Sequence, residues 1–262
     1  MTEGEITLLK AVLDDPNNDV PRLSYAEWCE RQSDQPTKAR AEFIRTQISL
    51  INDFKAMSYE QWFDLAHLEE KLRNTYKVEW AGELNALVDE YTFDKGFVAF
   101  AALSGRGFLD RAAELFALAP VRHLKLTQVV SAADELFASP YLNGIVSLDL
   151  ERCGLEDRHL AMLAAAPVLP NLKWLSVAQN NLGFDGADAL AASPLSKQLI
   201  YANFYGNPFD PGGRYSADNE FILDSWLPED GERLEAKHGY LAWLHRDADT
   251  IYEVAPNRFR LT

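Results

Sequence analysis

Cysteine is nearly missing from this chain: Cys29 and Cys153 are the only two in 262 residues, each set in an apolar pattern. No disulfide framework is supported, and a reducing, cytoplasmic setting is expected. Basic charge is also short. Twenty-five Lys and Arg stand against forty Asp and Glu, a formal charge of −15, whereas a nucleic-acid binder selects for surplus cations. An anionic membrane surface is disfavoured on the same ground. No apolar run approaches the ~20 residues that span a bilayer. The opening "MTEGEITLLKAVLDD" has acidic rather than basic flanks, so no signal peptide is expected. Enzyme motifs are missing as well: there is no G-x-x-x-x-G-K-[ST], no G-x-G-x-x-G after a strand, no H-E-x-x-H and no G-x-S-x-G. "SGRGF" at Ser104 reads as a turn. No cofactor is implied, and nothing supports catalysis. The acidity leaves two readings, colloidal solubility or a basic partner.

What the chain does contain is a repeat. "VRHLKLTQVVS" from Val121, "IVSLDLERCGL" from Ile145, "LKWLSVAQNNL" from Leu172 and "LIYANFYGNPF" from Leu199 align without gaps. Their starts lie 24, 27 and 27 residues apart (145−121, 172−145, 199−172). "FVAFAALSG" at Phe97 is a degenerate fifth candidate. Leu124 and Leu126, Leu148 and Leu150, Leu175 and Val177, Ala202 and Phe204 fill the apolar positions. Val129, Cys153, Asn180 and Asn207 fill the asparagine column. This is the L-x-x-L-x-L-x-x-N/C-x-L pattern of leucine-rich repeats. Residues two apart on a strand share a face, so the leucines point inward and the residues between them line an open sheet. The Asn column falls where each strand turns, with its amides free to serve backbone groups of adjacent coils, and Cys153 fits there as a small buried residue. Alanine-rich stretches, "AADELFAS", "RHLAMLAAAP" and "GADALAAS", read as helices packed on the convex side. The expected fold is α/β: a right-handed leucine-rich-repeat solenoid with parallel strands on its concave face, preceded by an all-α N-terminal domain.

The first ninety residues carry helical periodicity. Ile6, Leu9 and Leu13 form one apolar stripe, and Leu23, Ala26, Trp28 and Cys29 a second. Phe43, Ile44 and Ile48 form a third. Asp19 is expected as an N-cap with Pro21 in the first turn, and "SDQPTK" as a break. The Asp/Asn run lacks the Gly and distal Glu of a calcium loop, so it reads as turn chemistry. Residues 54 to 92, with Trp62, Phe63, Leu65, Leu68, Leu72, Trp80, Leu84 and Leu87, read as two further helices capping the first coil. Pro21, Arg22, Leu23, Tyr25, Ala26, Glu27 and Trp28, followed by Arg40, Ala41, Glu42, Phe43, Ile44, Arg45 and Gln47, resemble the bacterial repeat-companion domain. "RNTYKVEWAGEL" and "DKGFVAFAAL" also resemble the segment that leads such chains into their repeats, so the likeness runs to about residue 210. Cys29 and the insertion at "QPTK" depart from the family pattern. The resemblance implies no characterised activity or ligand, and repeats that serve as protein-interaction surfaces. Arg22, Glu27, Glu42 and Arg45 read either as a docking surface or as ion pairs between helices.

The expected division is 1–53 helical companion domain, 54–96 helical linker and cap, 97–213 repeats, and 214–262 a divergent cap. In that last part "LEAKHGYLAWLH" reads as a helix and "TIYEVAPNRFRL" as an edge strand. His238 and His245, with Glu235 and Asp247 nearby, lack a third ligand at a recognisable spacing, so no metal site is expected. The expected function is non-catalytic binding of another protein. The contact residues are His123, Lys125, Asp149, Glu151, Trp174, Ser176, Tyr201, Asn203 and Tyr205, with Trp174, Tyr201 and Tyr205 as exposed aromatic anchors. The alternatives are an acidic inhibitor or immunity-type protein neutralising a basic enzyme, an enzyme using His123, Asp149 and Glu151, and a scaffold with no discrete ligand. Solvent exposure of Trp174 depends on whether the C-terminal fifty residues fold back over it.

Overall fold

Short polar side chains set where the first helices start. In the computed structural model, which describes residues 2–167, 169–210 and 229–245, Thr2 and Glu5 form a capping box at the head of α1 (Glu3–Asp14). The cap of α2 (Asp19–Glu30) is Asn18, whose Oδ1 accepts from Val20 N at 3.0 Å. Asp19, expected as that cap, is the first helical residue instead, and its carboxylate takes Lys95 at 2.7 Å. α3 (Gln35–Asn52) begins inside the segment read as a break: Asp34 caps Thr37 N at 2.9 Å and Pro36 occupies the first turn, both favoured helix-start chemistry. α4 (Tyr59–Ala81) and the single turn α5 (Leu84–Leu87) follow. Residues 54–96 are not wholly helical, because β1 (Glu90–Asp94) lies among them.

Two compact units emerge, Met1–Phe100 with Glu114–Pro120, and Ala101–Ala113 with Val121–Thr262. The first buries Leu9, Val12, Tyr25, Ala26, Cys29, Ala41, Ile44, Ile48 and Phe97 together. Beside them Phe43 stacks on Trp80 at 4.8 Å between ring centroids. β1 turns into β2 (Phe97–Ser104) through Lys95 and Gly96, with φ 49° and 84°, the paired positive dihedrals of a two-residue hairpin turn. Glycine is compulsory at 96: a Cβ there would lie 2.1 Å from Cγ1 of Ile44.

The helices grip that turn through its backbone. Arg22, 2% exposed, donates to the carbonyls of Pro16, Asp94 and Lys95 at 2.9, 3.4 and 3.3 Å. Arg40 donates to Gly96 O at 3.4 Å and lies over the Tyr25 and Phe97 rings. Gln47 Oε1 accepts from Gly96 N at 2.7 Å while its Nε2 donates to buried Glu69 at 2.9 Å. The reading of Arg22 as an exposed docking residue is therefore corrected: its guanidinium is buried, turns its several donors to backbone carbonyls, and adds its charge to the environment of Asp19. Arg45 does pair with Glu30, at 2.6 Å, and ties α3 to α2. Glu27 pairs with Arg31, the residue that ends its own helix, at 3.9 Å, and Glu42 is exposed.

The second unit is built of strand–turn–helix steps. Ser104 Oγ accepts from Gly107 N at 3.0 Å, so "SGRGF" opens α6 (Gly105–Leu118) instead of forming an isolated turn. Then come β3 (His123–Thr127), α7 (Ala133–Phe137), β4 (Ser147–Asp149), α8 (Asp157–Ala165), β5 (Trp174–Ser176), α9 (Phe184–Ala192) and β6 (Tyr201–Asn203). Six strands make one mostly parallel sheet in chain order. α10 (Glu229–His238) ends at Gly239, whose φ of 82° is the left-handed conformation that stops a helix. The helix expected to run through to residue 245 is thus broken, and a 3₁₀ turn, Ala242–Leu244, follows it. Trp243 there is fully buried, donates to Ser196 Oγ at 2.9 Å and packs on Phe204. The expected edge strand "TIYEVAPNRFRL" lies outside the described residues. Among the described residues no helix is long and apolar enough to cross a membrane.

Candidate interaction surface

The repeat alignment and the strand register coincide. His123 pairs with Ser147, Ser147 with Trp174 and Trp174 with Tyr201. One step on, Leu124, Leu148, Leu175 and Ala202 pair in succession, and then Lys125, Asp149, Ser176 and Asn203. The leucine column is buried throughout, which places the candidate contact residues together on the other face.

The asparagine column locks each strand end to the one before. Asn180 Oδ1 accepts from Cys153 N and Leu155 N, both at 3.0 Å, and its Nδ2 donates to Leu150 O at 2.9 Å. Asn207 repeats this one step later, accepting from Asn180 N at 3.2 Å and Leu182 N at 3.0 Å and donating to Val177 O at 2.9 Å. Cys153 holds the same place in the preceding step, its thiol donating to Leu126 O at 3.1 Å. Burial pushes that thiol up to about 11, so it is a structural donor rather than a nucleophile. One position earlier, Gln128, Arg152, Gln179 and Gly206 all carry positive φ, from 52° to 76°. Only Gly206 announces such a conformation in sequence. The other three precede Val129, Cys153 and Asn180, the first two buried and the third bonded through its side chain to backbone groups.

The face itself is less open than the alternation implies. Trp174 is 5% exposed, Ser147 1%, Asp149 2%, Ser176 2% and His123 8%. The expectation of a solvent-facing indole at Trp174 is corrected, as is open exposure of His123, Asp149 and Ser176. Alternation decides which face a side chain takes, not whether that face meets water, and parallel sheets are commonly covered on both faces. Trp174 lies against Tyr201 with centroids 5.8 Å apart. Lys125, Glu151, Tyr201 and Asn203 are half-buried, and Tyr205 is 44% exposed. Asp149 Oδ1 accepts from Glu151 N at 3.0 Å, and Asn203 Oδ1 from Tyr205 N at 3.1 Å. These equivalent Asx turns fix the backbone that presents Glu151 and Tyr205.

The histidine pair of the C-terminal part is divided. His238 Nε2 meets Asp188 Oδ1 at 2.8 Å, whereas His245 Nε2 meets Glu235 Oε1 at 2.8 Å. Asp247 lies outside the described residues. Among the described residues no group of three or more His, Cys, Asp and Glu is placed to hold a metal ion. In comparisons with protein-family models, curated proteins and solved structures, nothing matches this chain.

Proposed function

We propose that the chain is a non-catalytic protein-interaction module: a leucine-rich-repeat solenoid, right-handed and cytoplasmic, with a repeat-companion domain at its N-terminus. The in-register columns carry this reading. They gather Lys125, Glu151, Tyr201, Asn203 and Tyr205, the five candidate residues with open surface, along neighbouring strands and the turns that follow them. Two Asx turns and two interlocking asparagines hold that line rigid before any partner arrives, so little conformational entropy is lost on docking. Trp174, His123, Asp149 and Ser176 form its buried support. Buried, unpaired thiols at Cys29 and Cys153 suit a reducing compartment.

The test compares wild type with the double variant Tyr201→Ala/Tyr205→Ala as affinity matrices for a native extract. The expected outcome is loss of a specific captured protein with unchanged circular dichroism. Identical capture by both would overturn the assignment. The −15 charge favours one narrower version, an acidic inhibitor of a basic enzyme. Capture that collapses between low and moderate salt selects it, because exposed charge pairs are screened within about 8 Å at physiological ionic strength.

A further inference from the structure

A second surface lies in the N-terminal unit and does not rest on the reading of the strand ends. Of the eleven large hydrophobic side chains that remain exposed among the described residues, four fall between 51 and 63: Ile51 at 37%, Phe54 at 57%, Tyr59 at 76% and Phe63 at 46%. Tyr59, Phe63 and His67 follow one another at helical spacing along α4, with centroids 6.1 and 5.1 Å apart. Half-buried Trp62 lies 6.2 Å from Tyr59. The opposite side of the same helix is spent on the core through Glu69, Leu72 and Trp80. The patch is also stiff: Ser58 and Gln61 close a capping box under Tyr59, with hydrogen bonds of 3.2 and 2.9 Å.

Charge says what fits there. Asp53, Glu60 and Asp64 are exposed within the stretch 51–67 that carries the aromatics, and Lys55 is the one Lys or Arg in that stretch. Glu60 also favours the helix start, but Asp53 and Asp64 have no such role. A second copy is a poor occupant, because two-fold pairing sets each acidic rim against itself. An anionic bilayer is repelled in the same way. The geometry points to docking of a basic amphipathic helix from another protein: its apolar stripe covers Phe54, Tyr59 and Phe63, and its Lys and Arg meet Asp53, Glu60, Asp64 and the aromatic ring faces.

The probe is a synthetic Leu/Lys amphipathic helix titrated into the full chain and followed by calorimetry. The Tyr59→Ser/Phe63→Ser variant is expected to bind about tenfold or more weakly. Glu60→Gln/Asp64→Asn is expected to lose about threefold and to flatten the salt dependence. Tyr205→Ala should bind as wild type, which separates this surface from the strand ends. Equal binding by wild type and the Tyr59/Phe63 variant would overturn the assignment, as would no binding at all. So would self-association that the same substitutions abolish, or tighter binding to anionic vesicles than to the peptide.

Discussion

Trp174 and Phe63 exchange the roles that sequence pattern gives them. Trp174 sits between apolar residues on a strand, at a position that alternation assigns to the open face, and is 5% exposed. Phe63 lies on a helix that reads as part of a buried cap, and is 46% exposed, with Tyr59 beside it at 76%. Periodicity fixes the side of an element from which a residue projects. What lies over that side is a property of the rest of the chain. The buried ring therefore belongs to stability and the bare ones to the proposed docking surface, and the two regions should come apart under substitution. Trp174→Ala is expected to cost about 3–5 kcal/mol by urea unfolding at unchanged slope. Tyr59→Ala should stay within about 0.5 kcal/mol of wild type. Similar losses at both positions would erase the distinction.

The same two regions show which contacts a sequence displays. Two successive steps of the second unit repeat an amide lock at a fixed offset from the leucines, and Cys153 fills the same place one step earlier, so the Asn180 and Asn207 column, and the pairing of His123, Ser147, Trp174 and Tyr201, were legible from spacing alone. The helical unit uses an equivalent lock, Gln47 on Gly96 N, but once only and across 49 residues. A bond made once leaves no period, and Gln47 stands in the sequence as the last residue of a motif that names no partner for it. The left-handed backbone at Gln128, Arg152 and Gln179 was hidden for another reason, since none of these residues is a glycine. By contrast, Asp34 with Pro36, and Gly239, carried ordinary start and stop signals that were overridden by reading "SDQPTK" as a break and "LEAKHGYLAWLH" as continuous.

Removing each lock measures that difference. Asn180→Ala strands Cys153 N and Leu155 N without their acceptor and frees three carbonyls. A loss of about 3 kcal/mol is expected from the stranded donors. Gln47→Ala strands Gly96 N and leaves Glu69 with Arg73 at 3.1 Å, for an expected loss of about 2 kcal/mol. Asn180→Asp, which keeps the acceptor and loses the donor, should fall between wild type and Asn180→Ala. Hydrogen exchange at Cys153 and Leu155 in the first variant, and at Gly96 in the second, identifies the bond responsible.

Each region also holds one thiol, and these sharpen the comparison without altering stability. Burial raises Cys29 to about 12 and Cys153 to about 11, so both are protonated at pH 8, and alkylating reagents attack the thiolate. Native protein is expected to resist iodoacetamide while urea-unfolded protein takes up two equivalents. Of the two, Cys153 should react first, because it is 7% exposed and Cys29 is fully buried. Rapid native labelling at Cys29 would show that the helical core opens more readily than the strand steps.

The smallest difference concerns acid. Burial raises the Asp19 pKa, but hydrogen bonds from Lys95 and Asn52 outweigh it and hold the carboxyl below its ordinary value. Asp188 in the other region is held low by hydrogen bonds from Lys237 and His238. A carboxyl whose folded pKa lies below its unfolded one adds stability above the unfolded value and loses it as pH falls through the folded value. Asp19→Asn and Asp188→Asn should therefore each flatten the acid limb of the stability curve, by less than about 1 kcal/mol. Lys95 is 17% exposed and Lys237 56%, so added salt should weaken the Asp188 contribution more than that of Asp19. Equal salt sensitivity would mean that the two pairs meet the same solvent, and that the helical grip on the Lys95–Gly96 turn is looser than its hydrogen bonds require.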